Sequence, residues 1–425
     1  MEPFSVVISG LAASGTLVVS ADPTAASLAL CVAPARFDTD APLELALAQR
    51  GGEASRVDLD GIAVWCATLP PGELAFGLWL TSHVLAGAPA TTPSAVTTPS
   101  AVATPNAVAP ALDAFEPSLS RAAAIALEGA SAGAPPSGSR FALVVTGRVD
   151  VDEATKRAVE YFGAPADDAP VVRAEPWQPV QTTERMASMQ ADIPSPRARY
   201  TWLTPEGSSD ETGIRVALEV LGGGVRARLP KLFTDTHLGK GADAWAVHLP
   251  GGTLQGLVVE PSTHVSIDRL RRFVDGALKQ LRIVGPSRRE LIRAKSRLLL
   301  DTYRTWEEPL ARARLLASYE LSRGGAPRAV AEERALERVT ILDVIRAVLH
   351  GLGDARRTTI EVYPPSWPTD DPRVAKQKLY TVAEGDTLAA IAAKFHVTVQ
   401  QIARSNDVDP KYGLTPGQPL WIPPP

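Results

Sequence analysis

The 425-residue sequence is poor in the residues that build disulfide frameworks, metal clusters and membrane spans. It holds only 2 cysteines and 3 methionines. Two cysteines, Cys31 and Cys66, exclude a disulfide-dense scaffold and a cysteine-rich metal site, and the sequence leaves open whether they pair. No uninterrupted apolar run approaches the roughly 20 residues that cross a bilayer, so no transmembrane segment is predicted.

An excess of charge of one sign is also missing. The chain has 43 Lys and Arg residues against 47 Asp and Glu residues, which gives a formal net charge of -4. This balance gives no electrostatic reason to expect binding to nucleic acid or to an anionic membrane. The segment Met1-Glu2-Pro3-Phe4 has no basic region ahead of an apolar run, so no secretory signal is evident and a cytoplasmic location stays open.

The length and the residue pattern predict several domains of the α+β class. β-prone runs alternate with amphipathic helices, and the runs at 16–20 and 28–32, separated by Asp22-Pro23, predict a hairpin. Residues 90–110 repeat a Thr/Pro/Ala hexapeptide that lacks core side chains, so this segment is predicted to be disordered. A linker is expected at 365–377, ahead of a C-terminal module at 378–425.

The C-terminal module shows the order β, α, α, β. A β-prone run at 379–382 leads into a turn and a helix N-cap at 385–387. Apolar residues then recur every three to four positions over 388–395, which predicts an amphipathic helix. A capping box that begins at Thr398 predicts a second helix, and residues 420–423 form a second β-prone run.

The short sequence motifs of this module, in the order in which they occur, closely resemble those of the LysM domain. They are Tyr380-Thr381-Val382, Gly385-Asp386-Thr387-Leu388, Ile391-Ala392, Asn406, Leu414-Thr415-Pro416-Gly417-Gln418 and Leu420-Trp421-Ile422-Pro423. The resemblance implies binding of peptidoglycan, or of a chitin-like glycan that also contains N-acetylglucosamine, between the loops 385–388 and 409–417. The candidate glycan-binding residues are Gly385, Asp386, Thr387, Leu388, Asn406, Leu414, Pro416 and Gly417. The alternative is that these residues only hold turns.

The larger part of the chain has a second set of features. Residues 141–150 predict a strand that leads into a helix ending near residue 163, and a glycine run follows at 221–224. A hairpin, long helices and a last strand at 358–364 complete the pattern. Together these features resemble the insulinase-type zinc peptidases, which are inverzincins of the pitrilysin-like kind, over roughly residues 11–364. The resemblance implies a two-lobed α/β sandwich, with a shortened first lobe at 1–165 and a second lobe at 170–364.

That family's chemistry rests on the helical motif H-x-x-E-H, in which two histidines bind zinc and the glutamate is the general base. The chain lacks this motif, and we interpret the motif helix as deleted because Val32 passes through 34–40 straight into a helix at Pro42. Glu44 and His83 are then ordinary residues. No catalytic residue, metal ligand or cofactor is predicted. The six histidines are isolated and are His83, His237, His248, His264, His350 and His396.

The second lobe of that family also contributes an Arg and a Tyr that help to hold substrate. Neither is clearly retained, because the segments read Thr234-Asp235-Thr236 and Ala244-Trp245. The glycine run lacks the Lys-Ser/Thr of a phosphate cradle, so nucleotide binding is not favoured. Arg228 is expected to pack or to form an ion pair near these glycines. Residues 288–323 predict one long helical region whose arginines form a solvated face.

The sequence therefore predicts a non-catalytic, insulinase-like scaffold of the bacterial cell envelope or periplasm that binds peptidoglycan through its LysM module. We expect the two lobes to hold a peptidase-like protein partner. An alternative is a non-catalytic subunit of a two-chain zinc metallopeptidase. A third reading is that the upstream region is a remnant and only the module is useful.

Overall fold

The structure is a computed structural model. It contains two large β-sheets, which are covered by helices, and it also contains a small C-terminal module with a two-stranded sheet. It describes residues 6–11, 15–33, 41–59, 62–86, 117–126, 141–164, 181–249, 251–262, 265–364, 378–406, 414, 416 and 419–422. The predicted disordered repeat at 90–110 and the predicted linker at 365–377 lie outside the described residues. The class is mixed α+β, as the sequence predicts.

The first lobe is built on a six-stranded sheet with the strand order β1-β2-β6-β3-β5-β4. Strands β2, β3 and β6 are apolar and are buried over almost their whole length, which is typical of central strands. The strands are β1 Val7–Leu11, β2 Gly15–Ala21, β3 Leu28–Ala33, β4 Glu53–Leu59, β5 Ile62–Leu69 and β6 Ala142–Gly147.

The predicted hairpin between β2 and β3 is wrong. Strand β6 lies between them, parallel to β2 with Thr16 opposite Ala142 and antiparallel to β3 with Ala33 opposite Ala142. Both flanking strands are apolar on both faces, so a local turn signal at Asp22-Pro23 could not show that a distant strand inserts there. The pairing is non-local, and its selection depends on packing of the whole sheet.

Helices from the first half of the chain cover one face of this sheet. Leu78 and Leu80 of α2 and Ala154 and Ala158 of α4 are buried there, in one core with Leu30. α1 lies between β3 and β4 along the chain and packs beside β4. The helices are α1 Ala41–Gln49, α2 Leu74–Ala86, α3 Pro117–Ala126 and α4 Val151–Phe162.

The second lobe is built on a five-stranded sheet with the order β7-β11-β8-β10-β9. The predicted hairpin around 250–252 is confirmed, since β9 and β10 pair with Leu249 opposite Gly252. The last strand, β11, lies inside the sheet, antiparallel to β8 and parallel to β7. The strands are β7 Arg185–Gln190, β8 Arg197–Pro205, β9 Gly239–Leu249, β10 Gly252–Pro261 and β11 Thr358–Tyr363.

Most of the remaining helices cover one face of the second sheet and form the largest apolar core. The helix α7 has the predicted bounds, because Ser266 caps its first turn and Gly285 ends it with a positive φ of 77°. The helices between β8 and β11 are α5 Glu211–Gly222, α6 Arg228–Thr236, α7 Ile267–Val284, α8 Arg288–Glu307, α9 Pro309–Ser322, α10 Pro327–Arg338 and α11 Ile341–Gly351.

The long helical region predicted over residues 288–323 consists of two helices, α8 and α9. Pro309 lacks the N–H that would continue α8, and Glu308 caps α9 by accepting hydrogen bonds from the backbone of Leu310 and Ala311. The predicted solvated arginine face needs correction. Arg312 is 0% exposed, with Nη2 at 3.6 Å from Oδ2 of Asp22 in the first lobe.

The two lobes exchange one helix each. α9, which follows the second sheet in sequence, packs on the face of the first sheet opposite α2 and α4, and Thr146 donates a hydrogen bond of 2.7 Å to the carbonyl of Pro309. α3, which precedes β6 in sequence, packs on the free face of the second sheet, where Arg199 donates to Ser118 at 3.1 Å. The lobes are therefore interlocked through both sheets.

The C-terminal module folds as a two-stranded antiparallel sheet with two short helices, in the predicted order β, α, α, β. Its elements are β12 Lys378–Thr381, α12 Leu388–Lys394, α13 Val399–Asn406 and β13 Pro419–Ile422. The predicted capping box is confirmed, because Thr398 and Gln401 exchange side-chain and backbone hydrogen bonds. Within the described residues, no helix is both long and apolar enough to span a membrane.

Candidate functional site

The two loops that were predicted to bind glycan leave the module's sheet from the same end. β12 and β13 are antiparallel, with Thr381 opposite Pro419. The chain after Thr381 and the chain before Pro419 therefore begin as neighbours, which is the arrangement that a shared groove requires. Residues 407–413, 415, 417 and 418 lie outside the described residues, so the predicted position of Gly417 is not described.

The turn between β12 and α12 is held by the side chains that the sequence singled out. Gly385 has a φ of 86°, which a side chain would strain. Asp386 Oδ2 accepts hydrogen bonds from the Tyr380 hydroxyl at 2.6 Å and from the Ala383 backbone N–H at 2.8 Å. The Tyr380 hydrogen bond, followed by that of Ala383, lowers the pKa of Asp386 below its ordinary value. Thr387 caps α12 as predicted.

The other candidate residues divide between the core and the surface. Leu388 is 7% exposed and packs in the core of the module, so it supports the turn from inside. Leu414 packs partly against the same core, whereas Pro416 is exposed. Asn406 is the last residue of α13. In the turn itself, Asp386 is half-buried and residues 383–385 and 387 are exposed.

A cluster beside this turn, formed by Tyr380, Lys394 and Phe395, was not recognised in the sequence. The rings of Tyr380 and Phe395 meet edge to face with their centroids 5.4 Å apart. Lys394 Nζ lies 4.7 Å from the Tyr380 centroid and 5.7 Å from the Phe395 centroid. The distance in sequence between a strand residue and the end of a helix hid this contact.

The helix that follows the first strands has no histidine that could bind zinc. α1 lies between β3 and β4, soon after the first strands, and is the helix that the sequence predicts at Pro42. Its nine residues read APLELALAQ and include Glu44 but no histidine. Over the described parts of the chain, no group of three His, Cys, Asp or Glu side chains is placed to bind a metal ion.

Two of the described histidines lie within hydrogen-bonding distance of a hydroxyl or a carboxylate group. His248 Nδ1 lies 2.9 Å from the Thr253 hydroxyl, and burial lowers the pKa of His248 well below its ordinary value. His350 Nδ1 lies 3.1 Å from Asp210 Oδ2 at the exposed end of α11. Both therefore have local structural contacts.

The second-lobe segments at which the resemblance would place substrate-holding residues have structural contacts here. Thr234 and Thr236 bond to carbonyls within α6, and Trp245 lies against Arg199, with 4.7 Å from the guanidinium carbon to the ring centroid. At the glycine run, Arg293 donates a hydrogen bond of 2.8 Å to the carbonyl of Gly223. The run is thus part of the helix packing.

Arg228 forms the ion pair that the sequence favoured, although its partner is Glu290. Nε lies 2.6 Å from Glu290 Oε1, Nη2 lies 3.0 Å from Oε2, and Nη2 also donates to the Gly285 carbonyl at 2.8 Å. Burial alone would raise the pKa of Glu290, but the hydrogen bonds from Arg228 and Ser287 lower it to about 2. The pair joins α6 to the start of α8.

We expect Glu290→Gln to lower the free energy of unfolding at pH 7 by up to about 3 kcal/mol. Because the folded pKa of Glu290 is about 2 against an ordinary value of 4.5, this stabilisation is present above pH 4.5 and is lost as the pH falls toward 2. Gln can keep the capping box with Ser287, so the variant isolates the charge. Urea denaturation between pH 2.5 and 7 measures the difference.

The matched control is Glu153→Gln, which removes an exposed ion pair with Arg157 and is expected to change stability little. If Glu290→Gln has no effect at pH 7, or an effect that grows as the pH falls, the assignment of the pair is contradicted.

The second lobe also contains a half-buried charged network that the sequence did not reveal. Arg328 contacts three carboxylates, at 3.0 Å from Glu206, 2.6 Å from Glu211 and 2.9 Å from Glu332. The Tyr319 hydroxyl donates to Glu332 at 2.6 Å, and burial raises the pKa of Glu206 and of Glu211. Glu206 and Arg328 are 122 residues apart, so no local pattern could predict their contact.

The two cysteines form a disulfide, which answers the question that the sequence left open. Cys31 of β3 and Cys66 of β5 are directly opposite each other, and both are 0% exposed. They lie on the face that α9 covers, in one core with Ala313 and Leu316. The bridge therefore joins two neighbouring strands beneath the helix that connects the lobes.

Two family models match the chain. Residues 380–423 match the LysM domain, and residues 136–298 match the peptidase M16 inactive domain. Recognition of a LysM module and of an insulinase-type region from the sequence is confirmed. No curated protein sequence matches the chain.

Solved structures share the fold of the two lobes. A protease from Helicobacter pylori has a TM-score of 0.63 at 12% identity, with 85% of this chain and 100% of that chain covered. The peptidase M16 inactive domain from Pseudomonas fluorescens has a TM-score of 0.61 at 12% identity, with coverage of 85% and 98%. A periplasmic protease from Escherichia coli has a TM-score of 0.56 at 12% identity, with coverage of 85% and 46%.

Proposed function

We propose that the protein is a non-catalytic, two-lobed scaffold that binds peptidoglycan, or another glycan containing N-acetylglucosamine, through its C-terminal module. The observation that carries this proposal is the LysM match at residues 380–423 together with the shared exit of the two candidate loops at Thr381 and Pro419. A match to the LysM domain favours glycan binding, and the geometry supports it.

The turn at 383–387 has the chemistry that an uncharged sugar needs. Hydrogen bonds to the side chains of Asp386 and Thr387, one of them from Tyr380, hold the turn in place without a ligand. Its exposed backbone offers amides and carbonyls that complement hydroxyl and acetamido groups. A preformed site loses less entropy on binding.

The lobes support a scaffold role without catalysis. The family model that matches residues 136–298 describes an inactive domain, and α1 carries Glu44 but no histidine. The two lobes are nevertheless complete enough to share their fold with whole M16-like chains. We propose that this preserved fold holds a protein partner.

The disulfide between Cys31 and Cys66 supports a location in the cell envelope. Disulfides persist in oxidising compartments such as the periplasm and are rare in the cytosol. Both sulfur atoms are buried in the lobe that precedes the module. A periplasmic or surface location would bring the module to peptidoglycan.

A second candidate function is that of a non-catalytic subunit of a two-chain zinc metallopeptidase. The observation that favours it is the two-sheet fold, shared with a whole protease chain, which a glycan anchor alone would not need. Co-purification of a chain with an intact H-x-x-E-H motif would support it. A 1:1 content of zinc in this chain alone would contradict both proposals.

The test of the proposed function is co-sedimentation with insoluble peptidoglycan. The full chain is expected to sediment, whereas the chain ending at residue 377 is expected to remain in the supernatant, because only the full chain contains the module. Zinc content is measured on the same samples. Failure of the full chain to sediment would overturn glycan binding by the module.

A point variant tests the turn itself. Gly385→Val is expected to weaken binding at least five-fold, because a β-branched residue at a φ of 86° costs on the order of 1–3 kcal/mol and displaces the turn. The matched control is Gly207→Val, since Gly207 has a φ of 75°, an equally open environment, and a place in the second lobe. Equal losses in both variants would show that the effect is not local to the module.

A further inference from the structure

The cluster of Tyr380, Lys394 and Phe395 places a cation beside the candidate turn. Lys394 ends α12 and is exposed, and its Nζ lies 4.7 Å from the Tyr380 centroid. The Tyr380 hydroxyl bonds to Asp386, which lies in the candidate loop. The ammonium group is thus linked to the loop through one aromatic side chain.

Asp386, the acidic residue of the turn that accepts from Tyr380, forms no salt bridge to this cation within the described part of the module. Asp386 Oδ2 accepts two hydrogen bonds, from Tyr380 and from the Ala383 N–H, and its interaction with Lys394 is only a minor electrostatic one. Among the described residues of the module, no salt bridge to Lys394 is formed, and its contacts are with two aromatic rings. A lysine over a ring keeps N–H donors that point away from the ring.

Such a group complements a carboxylate, and carboxylates distinguish two glycans that both contain N-acetylglucosamine. Chitin is uncharged. In peptidoglycan every second sugar carries a lactyl ether, whose carboxylate is free where the stem peptide is absent, and the stem peptide has carboxylates of its own. A charge-assisted hydrogen bond to one of these groups is stronger than a neutral one.

We infer that Lys394 makes the module prefer peptidoglycan fragments with a free carboxylate over neutral chitin fragments. The inference rests on the proposed function, since it concerns the same glycan site. Lys394 is then a residue that determines specificity, and the turn at 383–387 supplies the affinity for N-acetylglucosamine that both glycans share.

The experiment measures dissociation constants of the full chain for three fragments with the same number of sugars. They are a chitin oligomer, a peptide-free peptidoglycan fragment and a peptide-bearing peptidoglycan fragment. The wild-type protein is expected to bind a carboxylate-bearing fragment about three-fold to ten-fold more tightly than the chitin oligomer. The preference should shrink as the salt concentration rises.

Two variants separate charge from packing. Lys394→Gln is expected to remove the preference while leaving chitin affinity within about two-fold, and Lys394→Arg, which keeps the cation, is expected to retain the preference. The two peptidoglycan fragments distinguish the source of the carboxylate. Preference for the peptide-free fragment indicates the lactyl group, and preference for the peptide-bearing fragment indicates the stem peptide.

The inference and the proposed function fail in different ways. If the wild-type protein binds none of the three fragments, glycan binding itself is overturned, and the inference with it. If it binds all three equally, or if Lys394→Gln keeps the preference, the inference is overturned while glycan binding stands. An equal loss for all fragments in Lys394→Gln would show that Lys394 acts through packing, which also overturns the inference.

Discussion

Substitution of Arg357 by methionine is expected to lower the free energy of unfolding by about 3–5 kcal/mol at pH 7. Arg357 is 1% exposed at the start of β11, with Nε 2.9 Å from Glu184 Oε1 and Nη1 2.5 Å from Asp275 Oδ1. Methionine fills most of the volume but removes this cation from Glu184 and Asp275, which keep their ion pairs with Arg271. The destabilisation comes from the charges that remain.

The pH dependence follows from Glu184. Burial would raise its pKa, but hydrogen bonds and the charge of Arg357 lower it below the ordinary value. A lowered folded pKa stabilises the protein above the unfolded value of 4.5, and this contribution is lost as the pH falls. The gap between wild type and Arg357→Met should therefore narrow below pH 4.5.

Urea denaturation at pH 7 and pH 4 measures this effect. The control is Arg346→Met, which removes an arginine that is 53% exposed and pairs with Asp210 and Asp343, and a loss below about 1 kcal/mol is expected. If the two variants are equally stable, the ion pairs of Arg357 with Glu184 and Asp275 do not stabilise the second lobe as the structure indicates.

Removal of the disulfide by the double substitution of Cys31 and Cys66 with alanine is expected to cost about 3–4 kcal/mol. The two residues are 35 positions apart, so the bridge restricts a long loop of the unfolded chain. The double variant avoids leaving a free buried thiol. Guanidinium denaturation without reductant, beside wild type unfolded with and without reductant, measures the change.

Thiol titration of the unfolded wild-type protein is an independent check of the bridge. No free thiol is expected in protein recovered from an oxidising compartment, because the chain has only the 2 cysteines. Detection of two thiols per chain would contradict the disulfide. It would also remove the support that the disulfide gives to a location in the cell envelope.

Several elements could be predicted from the sequence because their signals are local. The caps at Ser266 and Gly285 define α7, and the capping box at Thr398 defines the start of α13. In the module, sequence neighbours are also neighbours in space, as Asp386 and Tyr380 show. The βααβ order and the turn at Gly385 were therefore predictable, although the predicted glycan contacts stay a prediction.

Leu388 illustrates where a motif-based assignment reaches its limit. It belongs to one of the sequence motifs that identify the module, yet its side chain is buried in the core. A motif combines residues that hold a turn with residues that face a ligand, and only the packing separates them. The position of Lys394 over Tyr380 is another contact that depends on packing.

The sequence by itself determined the class of the fold, the presence of the LysM module and the lack of an H-x-x-E-H motif. Each of these can be recognised from short sequence motifs or from the local periodicity of apolar residues. Only the tertiary structure decided that β6 separates β2 from β3, that α3 and α9 cover the opposite lobe's sheet, and that Arg312 is buried between lobes. These features are pairings between segments far apart in the chain. Their free energy comes from the fit of surfaces that form only when the whole chain has folded.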